Sequence, residues 1–300
     1  MNQRHRLLIT GASGFTGQHA CKHFVKAGFD VTAIINNNTY KNNDVRIERS
    51  DLTNKDEVNH LIKKVKPHYL LHLAGQNHVG QSWIDPISSL EANTLSTAYI
   101  IDALRQENPN CKIVVAGSAL QFNPANMSTL THPYSLSKTL QVLIAQSWAV
   151  LYNLHIVIAK PSNLIGPGFS NGVCSIFAKK IADMEMNKAD KVLEVNNPNV
   201  QRDFIDVRDA VSAYETLLLK GKSEEIYEIS SGKNRSLKEI INGLKSLTTV
   251  NFELRSLSNE IVEQTAEAGP VKLVKIGWKP AYSLETSLLD ILNFYRRNLK

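Results

Sequence analysis

A chain of 300 residues, 43% hydrophobic and 21% charged, holds enough apolar material for one large domain or one and a half, which excludes a disordered or fibrous chain. Its net charge of +6 is scattered; the densest cluster, Lys63-Lys64-Val65-Lys66, ends a helical pattern, where cations favour the helix dipole. No apolar run is long enough to span a bilayer, no basic cluster interleaves with aromatics as in nucleic-acid binders, and Cys21, Cys111 and Cys174 have no metal-ligand spacing, so neither membrane, nucleic acid nor metal is expected.

Residues 6–10 end in branched apolar side chains and read as a buried strand. Gly11, Gly14 and Gly17 follow at a spacing of three, and a helical pattern then runs through Ala20, Phe24 and Val25. Strand, glycine turn and helix make a βαβ dinucleotide site, in which glycines let a pyrophosphate approach the backbone and the helix start offers unpaired N–H groups. Residues 30–35 form a second strand ending at Asn36, Asn37 and Asn38. An acid at that place would hold the adenosine ribose of NAD, and an arginine the 2′-phosphate of NADP; asparagine specifies neither. Residues 45–49 are a third strand. Asp51 after it is either an adenine contact or the N-cap of a helix over 56–65. Residues 69–73 are a fourth strand running into Leu73-Ala74-Gly75, small enough for a cofactor to pass. The polar stretch 76–83 reads as a loop forming a pocket wall, with Gln76 and His78 in it.

Helical periodicity covers 88–105, with Asn93 on it; 112–116 is a fifth strand ending at Gly117-Ser118, 133–152 a long helix and 154–159 a sixth strand. Alternating strands and helices predict an α/β, Rossmann-type, doubly wound parallel sheet. The stretch from Pro161 to Gly168 reads as a loop. Beyond it the pattern is less regular: a helix over 176–186, a short strand over 201–207, a helix over 209–219, a strand over 226–229 and helices over 237–247 and 284–295. Residues 1–162, with part of 200–230, are expected to bind the dinucleotide, and 163–300 to form mainly a smaller α/β substrate region.

Tyr134 and Lys138 stand four apart at a helix start and face one side. An ammonium beside a phenol lowers the phenol's pKa, and the phenol can then exchange a proton with a substrate oxygen during hydride transfer. Ser118, at the end of the preceding strand, can orient that oxygen.

The run from Thr10 to Gly17, Asp51-Leu52, His72-Leu73-Ala74-Gly75, Ser118, Tyr134-x-x-x-Lys138 and Arg202-Asp203-Phe204-Ile205-Asp206-Val207 together resemble the extended short-chain dehydrogenase/reductase family. Gln76-Asn77-His78-Val79, Ser82-Trp83, Ile165-Gly166-Pro167-Gly168, the run from Phe177 to Ile181 and Gly277-Trp278-Lys279-Pro280 are similar to its GDP-mannose 4,6-dehydratase and GDP-4-keto-6-deoxymannose reductase branch. The resemblance implies a catalytic trio of Ser118, Tyr134 and Lys138. It implies cofactor contacts, for NADP or NAD, from Gly11, Ser13, Gly14, Phe15, Thr16, Gly17, Asn36, Asp51, Leu52, Leu73, Ala74, Gly75, Asn93, Pro161 and the Tyr134–Lys138 pair. It implies contacts to a nucleotide-diphosphate sugar from Gln76, His78, Ser118, Asn163, Lys179 and Arg202, a homodimer formed through the two long helices, and no metal. Lys179 has a solvated helix face as its plain alternative, and Arg202 a structural pair with Asp203 or Asp206.

Two departures bear on the reaction. Dehydratases need an acid close after the catalytic serine, and here Ala119, Leu120 and Gln121 follow it, which disfavours loss of water. Near the C-terminus, Glu260 falls where GDP-sugar relatives place an arginine; Arg255 is a nearby substitute, and UDP- or dTDP-sugars stay open. The expected activity is NAD(P)H-dependent reduction of the C4 ketone of a nucleotide-linked 4-keto-6-deoxyhexose. The alternatives are a 4-epimerase that retains its NAD and a non-catalytic dinucleotide sensor, which would not need Tyr134 and Lys138. The short segment ahead of the first strand leaves no room for a secretory leader, so a cytoplasmic location is expected.

Overall fold

The computed structural model describes residues 5–258 and 269–298. In chain order the first part runs β1 (Arg6–Thr10), α1 (Phe15–Lys26), β2 (Asp30–Ile35), β3 (Arg46–Arg49), α2 (Lys55–Val65), β4 (Tyr69–His72), α3 (Val79–Ile84), α4 (Pro86–Leu90), α5 (Ser96–Glu107), β5 (Lys112–Ala116), α6 (Pro133–Tyr152) and β6 (Ile156–Pro161). It continues with β7 (Asn163–Ile165), α7 (Val173–Glu185), β8 (Val192–Val195), β9 (Gln201–Asp206), α8 (Val207–Lys220), β10 (Ile226–Ile229), β11 (Asn234–Ser236), α9 (Leu237–Lys245), β12 (Glu253–Ser256), α10 (Val271–Lys275) and α11 (Leu284–Asn298).

Seven strands form one sheet in the order β10-β6-β5-β4-β1-β2-β3, and the pairings from β6 through to β3 are parallel. The order reverses between β1 and β4, where an open α/β sheet has its binding crevice. Leu7, Leu8 and Ile9 of β1 and Leu70 and Leu71 of β4 are fully buried, each worth about 1.5–3 kcal/mol of burial. Residues from α2, α5 and α6, among them Ile62, Ile100, Leu104 and Ala145, close one core cluster on the sheet.

The chain divides into two compact units: residues 1–161, 211–227 and 275–278, and residues 162–210, 228–274 and 279–300. The second unit contains the sheet β11-β9-β7, antiparallel between β11 and β9 and parallel between β9 and β7, and the parallel pair β12-β8. Its own core gathers Phe177, Ile181, Ile240, Ile241, Leu244, Ile291 and Leu292 from α7, α9 and α11.

Several expected boundaries move. The stretch 76–83 is not all loop: His78 caps α3 by accepting the Gln81 N–H at 3.0 Å. The helix over 88–105 is broken by a π-helical turn at Glu91–Leu95, a distortion frequent at functional sites. The stretch 161–168 contains β7, whose three residues pair with Phe204, Ile205 and Asp206. Asp51 is not the cap of α2. Asn54 is, accepting from Asp56 and Glu57, because Asp51 Oδ1 is taken by the Thr53 N–H and hydroxyl.

Candidate active site

The glycine turn is held by its own backbone. Gly11 has φ +66, and a Cβ on it would meet the Ala74 nitrogen at 2.9 Å; a Cβ on Gly17 would stand 2.2 Å from the Gly11 carbonyl oxygen. α1 begins at Gly14 with no side-chain cap, so its first N–H groups face outward for an anion. This backbone-lined turn, which side chains would fill, fits a dinucleotide pyrophosphate. Ser13, Phe15 and Thr16 lie on it partly buried. At the end of β2, Asn36 is exposed and its carbonyl accepts from the Arg49 guanidinium at 2.8 Å, so a cation stands there. Asp51 is half-buried and its second carboxylate oxygen has no hydrogen bond among the described residues, Leu52 is buried, and the Pro161 carbonyl accepts the Ala119 N–H.

Ser118, Tyr134 and Lys138 are all buried and come together at the end of β5 and the start of α6. The helix start is fixed by Pro133 at its first turn and by His132, whose Nδ1 accepts the Ser135 N–H at 2.9 Å. The His132 imidazole stacks on the Tyr134 ring, centroids 5.9 Å apart. The Ser118 hydroxyl accepts from the Leu120 N–H at 3.1 Å, which leaves its own proton to donate, and it faces the Tyr134 hydroxyl. Burial pushes Tyr134 above its ordinary pKa, against the opposing pull of that serine. Lys138 donates to the Ala116 carbonyl at 2.7 Å, and burial lowers its ammonium from 10.5 to about 7. In the free protein the phenol therefore lies above its ordinary value, with burial the larger effect and the Ser118 hydroxyl the opposing one.

Asn93 sits on the π-helical turn and acts as a clamp. Its Oδ1 accepts the Gln76 N–H at 2.9 Å, while its Nδ2 donates to the Gln76 carbonyl at 3.0 Å and to Ser137 Oγ at 2.9 Å. A Cβ at Gly75 would stand 2.4 Å from Asn93 Oδ1, so only glycine fits between them. The Gln76 side chain is fixed by Ser89 donating to its Oε1, and its Nε2 is buried without a partner among the described residues. Such a donor is suited to an acceptor from a ligand or water. His78 is exposed and occupied with capping α3.

One network escaped sequence reasoning. Thr10 Oγ1 accepts from the Leu73 and Ala74 N–H groups at 3.1 Å, so its own proton goes to His72 Nδ1 at 2.8 Å. His72 Nε2–H then donates to Thr97 Oγ1, which donates to the Asn93 carbonyl and accepts from Gln141. Every proton is assigned only if His72 is neutral, and burial, with the Lys138 charge, lowers it to about 3. The network ties the end of β4 to α5 and α6. His72 was visible in a motif, but its partners are 25 and 62 residues away.

In the second unit the predicted side chains do not share one fate. Asn163 donates to the Asp203 carbonyl at 2.9 Å and holds β7 to β9. Lys179 is exposed on α7. Arg202 is exposed, and the structural pairing considered for it is excluded. The Asp203 oxygens are taken by Ser162, Ser231 and the Lys233 N–H, and those of Asp206 by Arg208 and Ser287. Arg255, the nearby substitute, forms surface ion pairs with Glu194 at 3.1 Å and Glu253 at 3.5 Å. Glu260 lies outside the described residues. Among the described residues no group of three or more His, Cys, Asp or Glu side chains could hold a metal ion, and no helix is long and apolar enough to cross a membrane.

Comparison with known proteins gives the family. The chain is 27% identical over 310 residues to GDP-6-deoxy-D-mannose reductase of Pseudomonas aeruginosa, covering 98% of each. It is 26% identical over 317 residues to a putative UDP-glucose 4-epimerase of Methanocaldococcus jannaschii, covering 97% of this chain and 99% of that one. Among solved structures, RMD from Pseudomonas aeruginosa complexed with NADPH matches with a TM-score of 0.83 and 28% identity over 99% of this chain and all of that one. The Thermus thermophilus UDP-glucose 4-epimerase complex with NAD shares the fold at a TM-score of 0.82 and 22% identity, over 97% and 99% of the two chains. The model of the NAD dependent epimerase/dehydratase family matches residues 7–230, and the chain belongs to that family.

Proposed function

We propose that the protein is an NAD(P)H-dependent reductase of the C4 ketone of a nucleotide-linked 4-keto-6-deoxyhexose. The observation that carries this reading is the buried trio of Ser118, Tyr134 and Lys138 with no carboxylate anywhere in the sequence from Ser118 to Tyr134. Such a site can protonate an oxygen at C4 but has no acid there to expel a hydroxyl from C6. The similarity to GDP-6-deoxy-D-mannose reductase supports the same reaction, with GDP as the leading nucleotide and UDP or dTDP as alternatives.

The bound dinucleotide supplies the hydride. The protein's own groups do the rest. The Ser118 hydroxyl, whose acceptor side is occupied by Leu120, donates to the ketone oxygen and polarises it. Tyr134 gives its proton to the oxygen as negative charge develops there. Lys138, charged below about pH 7, stabilises the tyrosinate left behind. Asn93 holds the main chain at Gln76 in place, and the buried Gln76 amide donor offers a further hydrogen bond to the substrate. Lys179 and Arg202 bind the substrate's phosphates; Gly11, Gly14 and Gly17 admit the cofactor's.

Two copies pair through α5 and α6 in this reading. Leu143, Val150, Leu151 and Tyr152 of α6 are exposed, an apolar surface suited to a second copy. The three free cysteines are buried, in keeping with the reducing cytoplasm.

The test is oxidation of NADPH and NADH with freshly made GDP-, UDP- and dTDP-linked 4-keto-6-deoxyhexoses. One of the three should turn over; inertness toward all three would sink the reading. The similarity to a putative UDP-glucose 4-epimerase favours a second reading, 4-epimerisation by the same trio. Protein purified with tightly held NAD, interconverting UDP-hexoses without net cofactor consumption, would decide for it.

A further inference from the structure

In the β9–β11 ladder, Arg202 stands directly opposite Arg235, flanked by the opposed pairs Asp203–Asn234 and Gln201–Ser236. Directly opposed residues of an antiparallel pair project on the same side with Cβ atoms about 4.5–5.5 Å apart, and like charges so placed repel. A ladder three residues long offers little to offset that repulsion, yet its register is firmly held. Asp203, on the other side of the ladder, accepts from Ser231 N–H at 3.0 Å, Ser231 Oγ at 2.7 Å and Lys233 N–H at 3.1 Å, and so ties β9 to the turn that leads into β11. A built constraint thus holds the two arginines at directly opposed positions of the ladder.

Nearby carboxylates offset only one member of the pair, Arg235. Arg202 is exposed and makes no hydrogen bond or ion pair among the described residues, since Asp203 and Asp206 are both engaged elsewhere. Arg235 has one loose contact, 3.7 Å to Glu239 Oε1, with both side chains substantially exposed. The other oxygen of Glu239 is committed to the Ser236 N–H and hydroxyl in the capping box of α9. Glu285 feels the Arg235 charge but no ion pair joins them among the described residues. Two permanently charged planar forks, each able to take a phosphoryl group bidentately, form a surface complementary to two linked phosphoryl groups.

We propose that Arg235 is the second cation of a diphosphate clamp with Arg202, gripping the diphosphate of the nucleotide-sugar substrate. This rests on the nucleotide-sugar reading given above, which places only Arg202 and Lys179 on the phosphates. Arg235 is a binding residue here, and it takes no part in proton or hydride transfer.

The experiment measures binding of GDP, UDP and dTDP, the corresponding monophosphates, and NADPH to the full-length protein by calorimetry. Wild type is compared with Arg202→Met, Arg235→Met and Arg235→Lys, with the melting temperature of each. The expected result is a loss of about tenfold in diphosphate affinity for each Met variant, a smaller loss for Arg235→Lys, and a loss of threefold or less for the monophosphate. NADPH affinity should stay within twofold, and Arg235→Met should melt no lower than wild type because a repulsion is removed. Diphosphate binding by Arg235→Met equal to wild type, with Arg202→Met weakened, overturns the clamp while leaving the functional reading standing. An equal loss of NADPH affinity also overturns it, by assigning the pair to the cofactor. Failure of wild type to bind any of the three diphosphates removes the functional reading and the clamp together.

Discussion

The proposed reaction assigns a role to two cations, Lys138 and Arg202, and the two units surround them in opposite ways. In the unit with the large parallel sheet, Lys138 is buried, fixed on the Ala116 carbonyl and brought down to about 7. In the other unit, Arg202 is exposed, with the neighbouring carboxylates turned to other partners. The difference suits the role that the proposed function gives each group. Proton transfer needs a side chain in one place with a pKa near working pH, which requires burial and a shell of fixed partners. Capture of a phosphate needs a permanent charge that solvent and ligand can both reach, and arginine keeps its charge in any surroundings.

The largest expected effect tests the buried side of that contrast. Tyr134→Phe should lower kcat by about 10³-fold, or about 4 kcal/mol, while leaving NADPH affinity within twofold. Turnover near wild type would remove the phenol from the chemistry. Next comes the glycine turn: Gly17→Ala puts a Cβ 2.2 Å from the Gly11 carbonyl oxygen and should cost about 2–3 kcal/mol. The readout is loss of the rise in melting temperature that NADPH produces, with nucleoside diphosphate binding unchanged.

A third effect concerns pH. Lys138 in the free protein loses its proton near 7, well below its ordinary value, so the charge that supports the tyrosinate is present below that pH and lost above it. The value of kcat/KM for ketone reduction, which reports the free enzyme, should therefore fall by about tenfold per pH unit well above pH 7. A profile flat to pH 9 would mean that Lys138 remains charged. The smallest effect belongs to the exposed side: Arg202→Met should raise KM for the sugar nucleotide about tenfold, or about 1.4 kcal/mol, with kcat within twofold. A fall in kcat with unchanged KM would erase the distinction between the two cations.

What could be read from the sequence follows the same division. β1, β2, β4 and β5 are runs of branched apolar residues, and their alternation with amphipathic helices was legible as a doubly wound sheet. Ser118, Tyr134 and Lys138 were legible because a helix turn and a strand end fix their spacing. β7 and β11 were not, since Asn163-Leu164-Ile165 and Asn234-Arg235-Ser236 are too short to show a period of two. α3 was hidden because its cap is a histidine rather than a serine or aspartate. Arg235 gave no signal, for its significance depends on a strand pairing 33 residues back in the chain. The fastening role of Asp203 was hidden for the same reason, since its carboxylate is engaged by Ser231 and Lys233, 28 and 30 residues further along the chain.

The proposed reaction assigns His72 no step, but its sealed position makes it an instrument. Its Nε2 proton lies in a buried imidazole whose two nitrogens are both engaged, by Thr10 and by Thr97. Such a proton trades with solvent only when the surrounding structure opens. Its exchange rate, followed by NMR through the ring resonance, therefore reports the opening of the strand end that holds Leu73 and Ala74. Dinucleotide docking against that strand end should slow the exchange before any substrate is present, separating the closing of the cofactor crevice from the catalysis that follows it.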